Sequence, residues 1–213
     1  NNTHIYGDEM ETLSIDQPME EIELQIKLLL GKDIYTYRHS KRVFKYAVEF
    51  GKQLPLKDSE KKILALGALS HDIGKLEVPR HIINKKGKLT ADEWEMVKSH
   101  VIWGSDMLST IKRYEDLIPL VELHHERFDG KGYPHGLKGE EIPKLARILC
   151  VIDSFDAMTT ERPYQKTKTF KEAIFELRAC AGTQFDPEYV EPFIAYITDK
   201  QKVPETVEVP SSI

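Results

Sequence analysis

A histidine followed by an aspartate, His71-Asp72, closes an apolar run that begins at Ile63, and Ile73-Gly74-Lys75 follows directly. Neutral imidazole and carboxylate both suit a divalent transition metal. A carboxylate at the end of a buried helix also needs a cation or a hydrogen-bonding partner, because ionised groups are not left alone away from water. Five more residues could complete such a centre: His39, His100, His124, His125 and Asp153. Of the eight histidines, five, His39, His71, His100, His124 and His125, fall at or near helix ends or on apolar helix faces, and the other three, His4, His81 and His135, read as loop residues. Such a set, with two buried aspartates, is more than ordinary hydrogen bonding readily satisfies. It contains no cysteine, which a structural zinc site would favour, and it suits iron, manganese or zinc in an open catalytic shell. Two octahedral metals offer about twelve coordination positions, and seven side chains with Asp72 bridging fill about eight of them. That leaves room for a bridging hydroxide and substrate oxygens, the arrangement in which two metals activate water and stabilise a phosphoryl displacement. Lys75, one turn beyond Asp72, could hold a phosphate oxygen or assist the leaving group; its plainer role is to offset a helix dipole.

The elements that must position these groups read as helices. Residues 18–30 have apolar positions at helical spacing, with Gly31 as their stop. Asp33 caps a second helix to about Gly51, with His39, Val43 and Ala47 on one face, and Asp58 or Ser59 caps a third that runs to His71. Val78-Pro79-Arg80-His81 breaks the pattern, and residues 84–88 read as a solvated, positively charged turn. Thr90 and Glu93 form a capping box at the head of one long helix whose apolar face carries Trp94, Val97, Val101 and Met107, with His100 on or beside it. Trp94 and Trp103 read as core. A helix over Leu117–Leu123 delivers His124-His125-Glu126, and a glycine-rich loop follows through Gly139, long enough to be functional. Residues 144–158 are apolar nearly all round and therefore buried. Asp153 in their midst is either held by hydrogen bonds alone or bound to metal. Thr169 and Glu172 form a second capping box, and Asp186-Pro187 open the last helix, to about Tyr196. No strand-like alternation and no repeat recur, so the expected fold is all-α, with about seven to nine helices. Residues 1–17 read as a linker or N-terminal arm, 18–200 as one domain and 201–213 as a loose tail.

The chain has 213 residues, 40% hydrophobic and 31% charged, ordinary for a globular domain. It holds no apolar run of about 18 residues and no signal peptide, so no membrane span and a cytoplasmic place are expected. It opens on Asn1, which fits a processed chain with any upstream regulatory domain outside it. Cys150 and Cys180 lie in apolar helical context and read as reduced, buried thiols, with one disulfide between them left open. A net charge of −5 and a pI near 5.9 argue against broad nucleic-acid binding, which needs a basic face. A small anionic substrate stays open, because bound metals can be the largest local positive charges.

His71-Asp72 with Gly74-Lys75, followed in order by His124-His125-Glu126-Arg127-Phe128-Asp129-Gly130-Lys131-Gly132-Tyr133-Pro134, closely resembles the HD-GYP phosphodiesterases, a branch of the HD-domain metal-dependent phosphohydrolases. The resemblance spans roughly residues 18–198. It implies an all-α HD bundle with an extended GYP loop, and hydrolysis of the bacterial second messenger cyclic di-GMP to pGpG or GMP through a metal-bridging hydroxide. It implies His39, His71, Asp72, His100, His124, His125 and Asp153 as ligands of divalent metal, iron or manganese. His71, Asp72 and Lys75 would be catalytic, and Lys75, Tyr133, Arg162 and Lys166 would contact substrate. Some members carry a glutamate one turn before the first histidine and hold a third metal; Tyr35 stands there, so two are expected. Gly130, Gly132, Pro134 and Asp129 read as shaping the loop. Two alternatives stay open: a phosphohydrolase of another cyclic dinucleotide, and a non-catalytic sensor or interaction module that uses the GYP loop for docking. A homodimer is compatible with all three.

Overall fold

The structure, a computed structural model, describes residues 18–160 and 167–202. Arg162 and Lys166, the N-terminal arm 1–17 and most of the tail, 203–213, lie outside the described residues. The helices are α1 (Pro18–Lys32), α2 (Ile34–Gly51), α3 (Asp58–Ser70), α4 (Arg80–Ile83), α5 (Ala91–Lys98), α6 (His100–Ser109), α7 (Ile118–Leu123), α8 (Lys144–Thr159), α9 (Phe170–Ala179) and α10 (Pro187–Lys202). Short 3₁₀ turns cover Ile73–Leu76, Lys112–Leu117 and Gly139–Glu141. Among the described residues there is no β-strand, and two isolated bridges pair Asp129 with Lys138 and Ala181 with Phe185. The fold is all-α, as the periodicity implies.

α2 and α3 form the middle of the molecule, because both bury residues on two sides. Toward α8, α9 and α10 they contribute Val43, Phe50, Leu64 and Ala68 to a core with Ile148, Ile152, Phe155 and Phe193. Toward α1, α6 and α7 they contribute Phe44, Val48, Leu69 and Ala65 to a core with Ile26, Leu108 and Val121. The stripe of α2 follows from its spacing: Thr36, His39, Ser40, Val43, Phe44 and Ala47 recur at three and four residues and all are buried. Asp33 caps that helix, its carboxylate accepting from the Tyr35 amide at 2.9 Å. His39 is thereby placed on the inner face, six residues beyond the cap.

Several boundaries differ from expectation. α1 runs through Gly31 to Lys32. Asp58 is the first residue of α3 and not its cap; the Lys57 amide donates to Glu60 Oε2 at 2.8 Å instead. Arg80 and His81, expected with Val78 and Pro79 to break the pattern, instead open a single helical turn, Arg80–Ile83. The capping box holds, with the Thr90 amide donating to Glu93 and the Glu93 amide to Thr90 Oγ1. The long helix it opens breaks at Ser99, however, into α5 and α6. The break lets α6 turn His100, Val101, Gly104, Ser105 and Leu108 inward, while α5 buries nothing and leaves Trp94 half exposed. Trp94 is therefore surface, not core. α10 continues past Tyr196, so Gln201 is helical and not part of a loose tail. Its extension is tied down by Ile197 in the core, by Tyr196 donating to Glu49 at 2.6 Å, and by the Lys200–Glu49 pair. Both cysteines are free thiols; Cys150 is buried but Cys180 only partly so. No described helix is long and apolar enough to cross a membrane.

Candidate metal centre

Five elements aim side chains at one place. His39 comes from the middle of α2, and His71 and Asp72 from the end of α3. His100 opens α6, His124 and His125 follow α7, and Asp153 comes from α8. The seven fall into two groups, Asp72 with His100, His124 and His125, and His39 with His71 and Asp153. Within each group the donor atoms lie within 4.8 Å of one another. Asp72 stands between the groups. Its Oδ1 is 3.3 Å from His100 Nε2 and 4.0 Å from His124 Nε2, whereas its Oδ2 is 3.4 Å from His71 Nε2 and 3.8 Å from His39 Nε2. Six of the seven are buried; solvent still touches His125.

The proton positions follow from the partners of the other ring nitrogen. His71 Nδ1 lies 2.7 Å from the Ala68 carbonyl, His100 Nδ1 2.6 Å from that of Val97, and His124 Nδ1 2.8 Å from that of Val121. A carbonyl only accepts, so each Nδ1 carries the hydrogen and, in the neutral ring, each Nε2 presents a bare lone pair. His39 Nδ1 donates to Asp156 at 2.7 Å in the same way. Yet the Nε2 atoms of His71 and His39 are 3.2 Å apart, and those of His100 and His124 are 3.5 Å apart. Two facing acceptors repel unless a proton or a cation lies at them. The buried Asp72 Oδ1 likewise has no hydrogen-bond partner among the described residues, a costly state for a carboxylate oxygen. Cations would satisfy all of these atoms together, so the donor set fits divalent metal. The orienting carbonyls and Asp156 supply the outer hydrogen bonds that metal-binding imidazoles ordinarily have.

Charge tells the same story. Burial works against the Asp72 carboxylate, but Lys75, His71 and His100 more than offset it and hold its pKa well below the usual range. The Lys75 ammonium lies 2.6 Å from Asp72 Oδ2. Asp153 is held low in the same way, mainly by His39, which is 2.8 Å away. Burial and neighbouring imidazoles push His124 well down and His125 to about 3, while Asp153 and Asp156 overcome burial and raise His39 to about 9. In the metal-free chain these shifts pull in opposite directions. For His124 and His125 the unfolded chain takes up protons first, so stability falls as pH drops below about 6.5. The His39 contribution is fully present below about 6.5 and is lost as pH rises through about 9. Melting temperatures of the chelator-treated protein across this range are expected to peak near neutrality and fall on both sides.

The loop after His125 is built onto the centre. Tyr133 stacks on the His125 ring, with centroids 4.9 Å apart and planes at 29°, and the Lys98 ammonium lies 5.7 Å from the Tyr133 centroid. Burial raises the pKa of the Tyr133 phenol, and Asp72 and Asp153 add to the effect, so it stays neutral. At Gly132 a Cβ would lie 2.3 Å from the Arg127 amide nitrogen and 2.5 Å from the His125 carbonyl, which is why the chain can fold back onto itself there. Arg127 forks onto Asp129 and reaches Gln184, and Gln184 donates in turn to Ser154, beside Asp153. Glu126, buried, accepts from the amides of His135 at 2.6 Å, Gly136 at 3.0 Å and Leu137 at 3.1 Å. Glu126→Gln keeps the shape but turns one acceptor into a donor facing an amide. It is expected to cost about 1–3 kcal/mol, read as a melting temperature about 2–12 °C lower, with metal content unchanged.

All seven donors expected from the sequence converge, and Lys75 and Tyr133 lie beside them. Arg162 and Lys166 fall outside the described residues. Three residues have roles that only the fold shows: Glu126, Lys98 and Asp156, the last holding both His39 and the fork of Arg42 at 2.7 and 2.9 Å. The signal for Asp156 was its spacing: it sits three residues after Asp153 on a helix already recognised as buried.

A model of the HD domain matches residues 23–189. The chain belongs to the HD domain family. Among known relatives, the 3′3′-cGAMP-specific phosphodiesterase 3 of Vibrio cholerae is 37% identical over 162 residues, covering 76% of this chain and 35% of that protein. A cyclic di-GMP phosphodiesterase of Pseudomonas aeruginosa is 41% identical over 172 residues, covering 80% and 41%. The chain thus spans under half the length of these relatives. The solved structure of a cyclic GMP-AMP specific phosphodiesterase of V. cholerae superposes with a TM-score of 0.63 at 22% identity, over 84% of this chain and 49% of that one, which shows a common fold. The resemblance carried by the His-Asp pair and the GYP stretch agrees with this HD domain membership.

Proposed function

We propose that this HD domain hydrolyses a phosphodiester bond of a cyclic dinucleotide, with cyclic di-GMP as substrate and pGpG or GMP as product. The observation that carries the reading is the divided donor set, two groups of inward-facing imidazole nitrogens and carboxylates that share Asp72. The relatives named for cyclic-dinucleotide cleavage add support. His39, His71 and Asp153 would hold one divalent ion, and His100, His124 and His125 a second, with Asp72 reaching both. Iron or manganese there would supply positive charge to a phosphoryl group and make a water acidic enough to react near neutral pH. Asp72 and Asp153 would offset only part of the charge of two divalent ions, so the loaded centre would stay cationic toward an anionic phosphate. Lys75, held against Asp72 Oδ2, puts a donor where a phosphate oxygen or a leaving oxygen can use it. Tyr133, neutral and fixed on His125, offers a hydroxyl and a ring face to the nucleotide. Arg162 and Lys166 are proposed to hold the substrate's phosphates. With Tyr35 where a further carboxylate would be needed, two ions per chain are proposed. Residues 18–200 are taken as the unit that carries the activity.

The 37% identity to a 3′3′-cGAMP-specific enzyme favours one second reading, the hybrid dinucleotide as substrate. The deciding experiment joins elemental analysis of protein purified without added metal to turnover of both dinucleotides. About two ions per chain and release of pGpG are expected. Cleavage of 3′3′-cGAMP alone would move the substrate assignment. Loaded protein that cleaves neither would end the hydrolase reading.

A further inference from the structure

Asp156, whose carboxylate fixes His39, also forms part of the wall of a second cavity of about 470 Å³ between α2, α8 and α10. None of the seven metal-centre donors lines it. Its volume falls within the range of about 300–1,000 Å³ typical of small-ligand sites. The lining combines two chemistries. Tyr46, Phe155 and Phe170 supply aromatic rings, with Phe155 set edge-on to the other two at 5.8 and 6.0 Å. Arg42, Lys168 and Lys200 supply cations, and Thr159 and Thr160 hydroxyls.

Each cation already has a carboxylate, but none is fully committed. Arg42 spends Nε and one Nη2 hydrogen on Asp156, two of the five N–H donors of a guanidinium, and its side chain is 35% exposed. Lys168 pairs with Glu176 at 2.8 Å and Lys200 with Glu49, their side chains 36% and 38% exposed. Ion pairs this exposed are weak and readily exchanged for a better anion. Rings beside cations and hydroxyls suit a planar base joined to a phosphate.

We propose that this cavity is a second binding site, for a purine mononucleotide 5′-phosphate, and that its occupancy is felt at His39. The phosphate engages Arg42 with Lys168 and Lys200, and the base lies against Tyr46 and Phe170. An anion on the free Nη hydrogens of Arg42 shares the guanidinium's charge with Asp156, and Asp156 is what orients the His39 ring. Such a coupling must be reciprocal: the nucleotide changes metal affinity and metal changes nucleotide affinity by the same factor.

The test measures GMP binding by calorimetry to the chain carrying His71→Ala and Asp72→Ala, which disables the metal centre. Saturable binding is expected, at least ten times tighter than that of inorganic phosphate. It should weaken at least tenfold on adding Lys168→Glu, and also on adding Lys200→Gln, with helical content unchanged. Lys168→Glu alone should leave turnover of the otherwise native chain as it was. GMP that binds the native chain but not the disabled one, or binds no better than phosphate, would overturn the site. In the native chain GMP should change manganese affinity at least threefold, and Lys168→Glu should abolish that change. An effect that is absent, or that survives Lys168→Glu, would overturn the link to His39.

Discussion

A chain carrying His71→Ala and Asp72→Ala together is expected to hold no divalent metal above background and to lose cyclic di-GMP turnover by about 10³-fold or more, the scale of removing a central electrostatic stabiliser. The two residues are not two ligands among seven. Asp72 faces both groups through separate oxygens, and His71 lies within 4 Å of Asp72 and of Asp153. Removing them leaves neither group complete. The expected cost in fold is small. Asp72 leaves behind the Lys75 ammonium, but that side chain is partly exposed and can turn to water, and the substitution also removes a buried carboxylate oxygen that has no hydrogen-bond partner among the described residues. The variant should therefore melt close to the chelator-treated native chain and well below the metal-loaded one. Metal content and turnover matching the native protein would show that the centre lies elsewhere.

Gly74→Ala is expected to act through the backbone. A Cβ at that position would lie 1.9 Å from the His100 carbonyl oxygen and 2.5 Å from the Gly104 amide nitrogen, and neither can swing aside as a side-chain tip could. α6 has to retreat from the 3₁₀ turn after Asp72. Forcing atoms into a packed crossing costs about 3 kcal/mol, or a melting temperature about 6–12 °C lower for a chain of this length. The same retreat carries His100 away from Asp72, so metal affinity should fall by about tenfold or more, as when a supporting contact of a metal ligand is lost. A variant with unchanged melting temperature and unchanged metal uptake would mean that this crossing is not what sets the distance between the two.

The centre was legible in the sequence because its members are the wrong residues for their surroundings. Asp153 stands out in a helix that is otherwise apolar, and His39 stands out on the face it shares with Val43 and Ala47. The helices were legible where capping boxes or proline marked them, as at Thr90, Thr169 and Pro187. What escaped depends on direction in space. Glu126 reads as one more charged loop residue, and only the folded loop shows three amides pointing at it. Trp94 reads as core because its periodicity continues smoothly through Ser99, whereas the backbone does not. α10 reads as ending near Tyr196 because its last turns are polar, and the Glu49 that holds them lies about 150 residues earlier in the chain.

Three imidazoles are tethered to the carbonyl three residues back, His71 and His124 to the helix each one follows and His100 across the break at Ser99 to the last turn of α5. Each ring is therefore pre-aimed before any ion arrives, and chelation should not set it spinning. What can vary is how far apart the helix ends sit. Ion uptake by this domain should consequently behave as a gauge of helix docking: anything that presses α6 or α7 against α3, even from a distance, would be registered as tighter binding with every ligand left untouched.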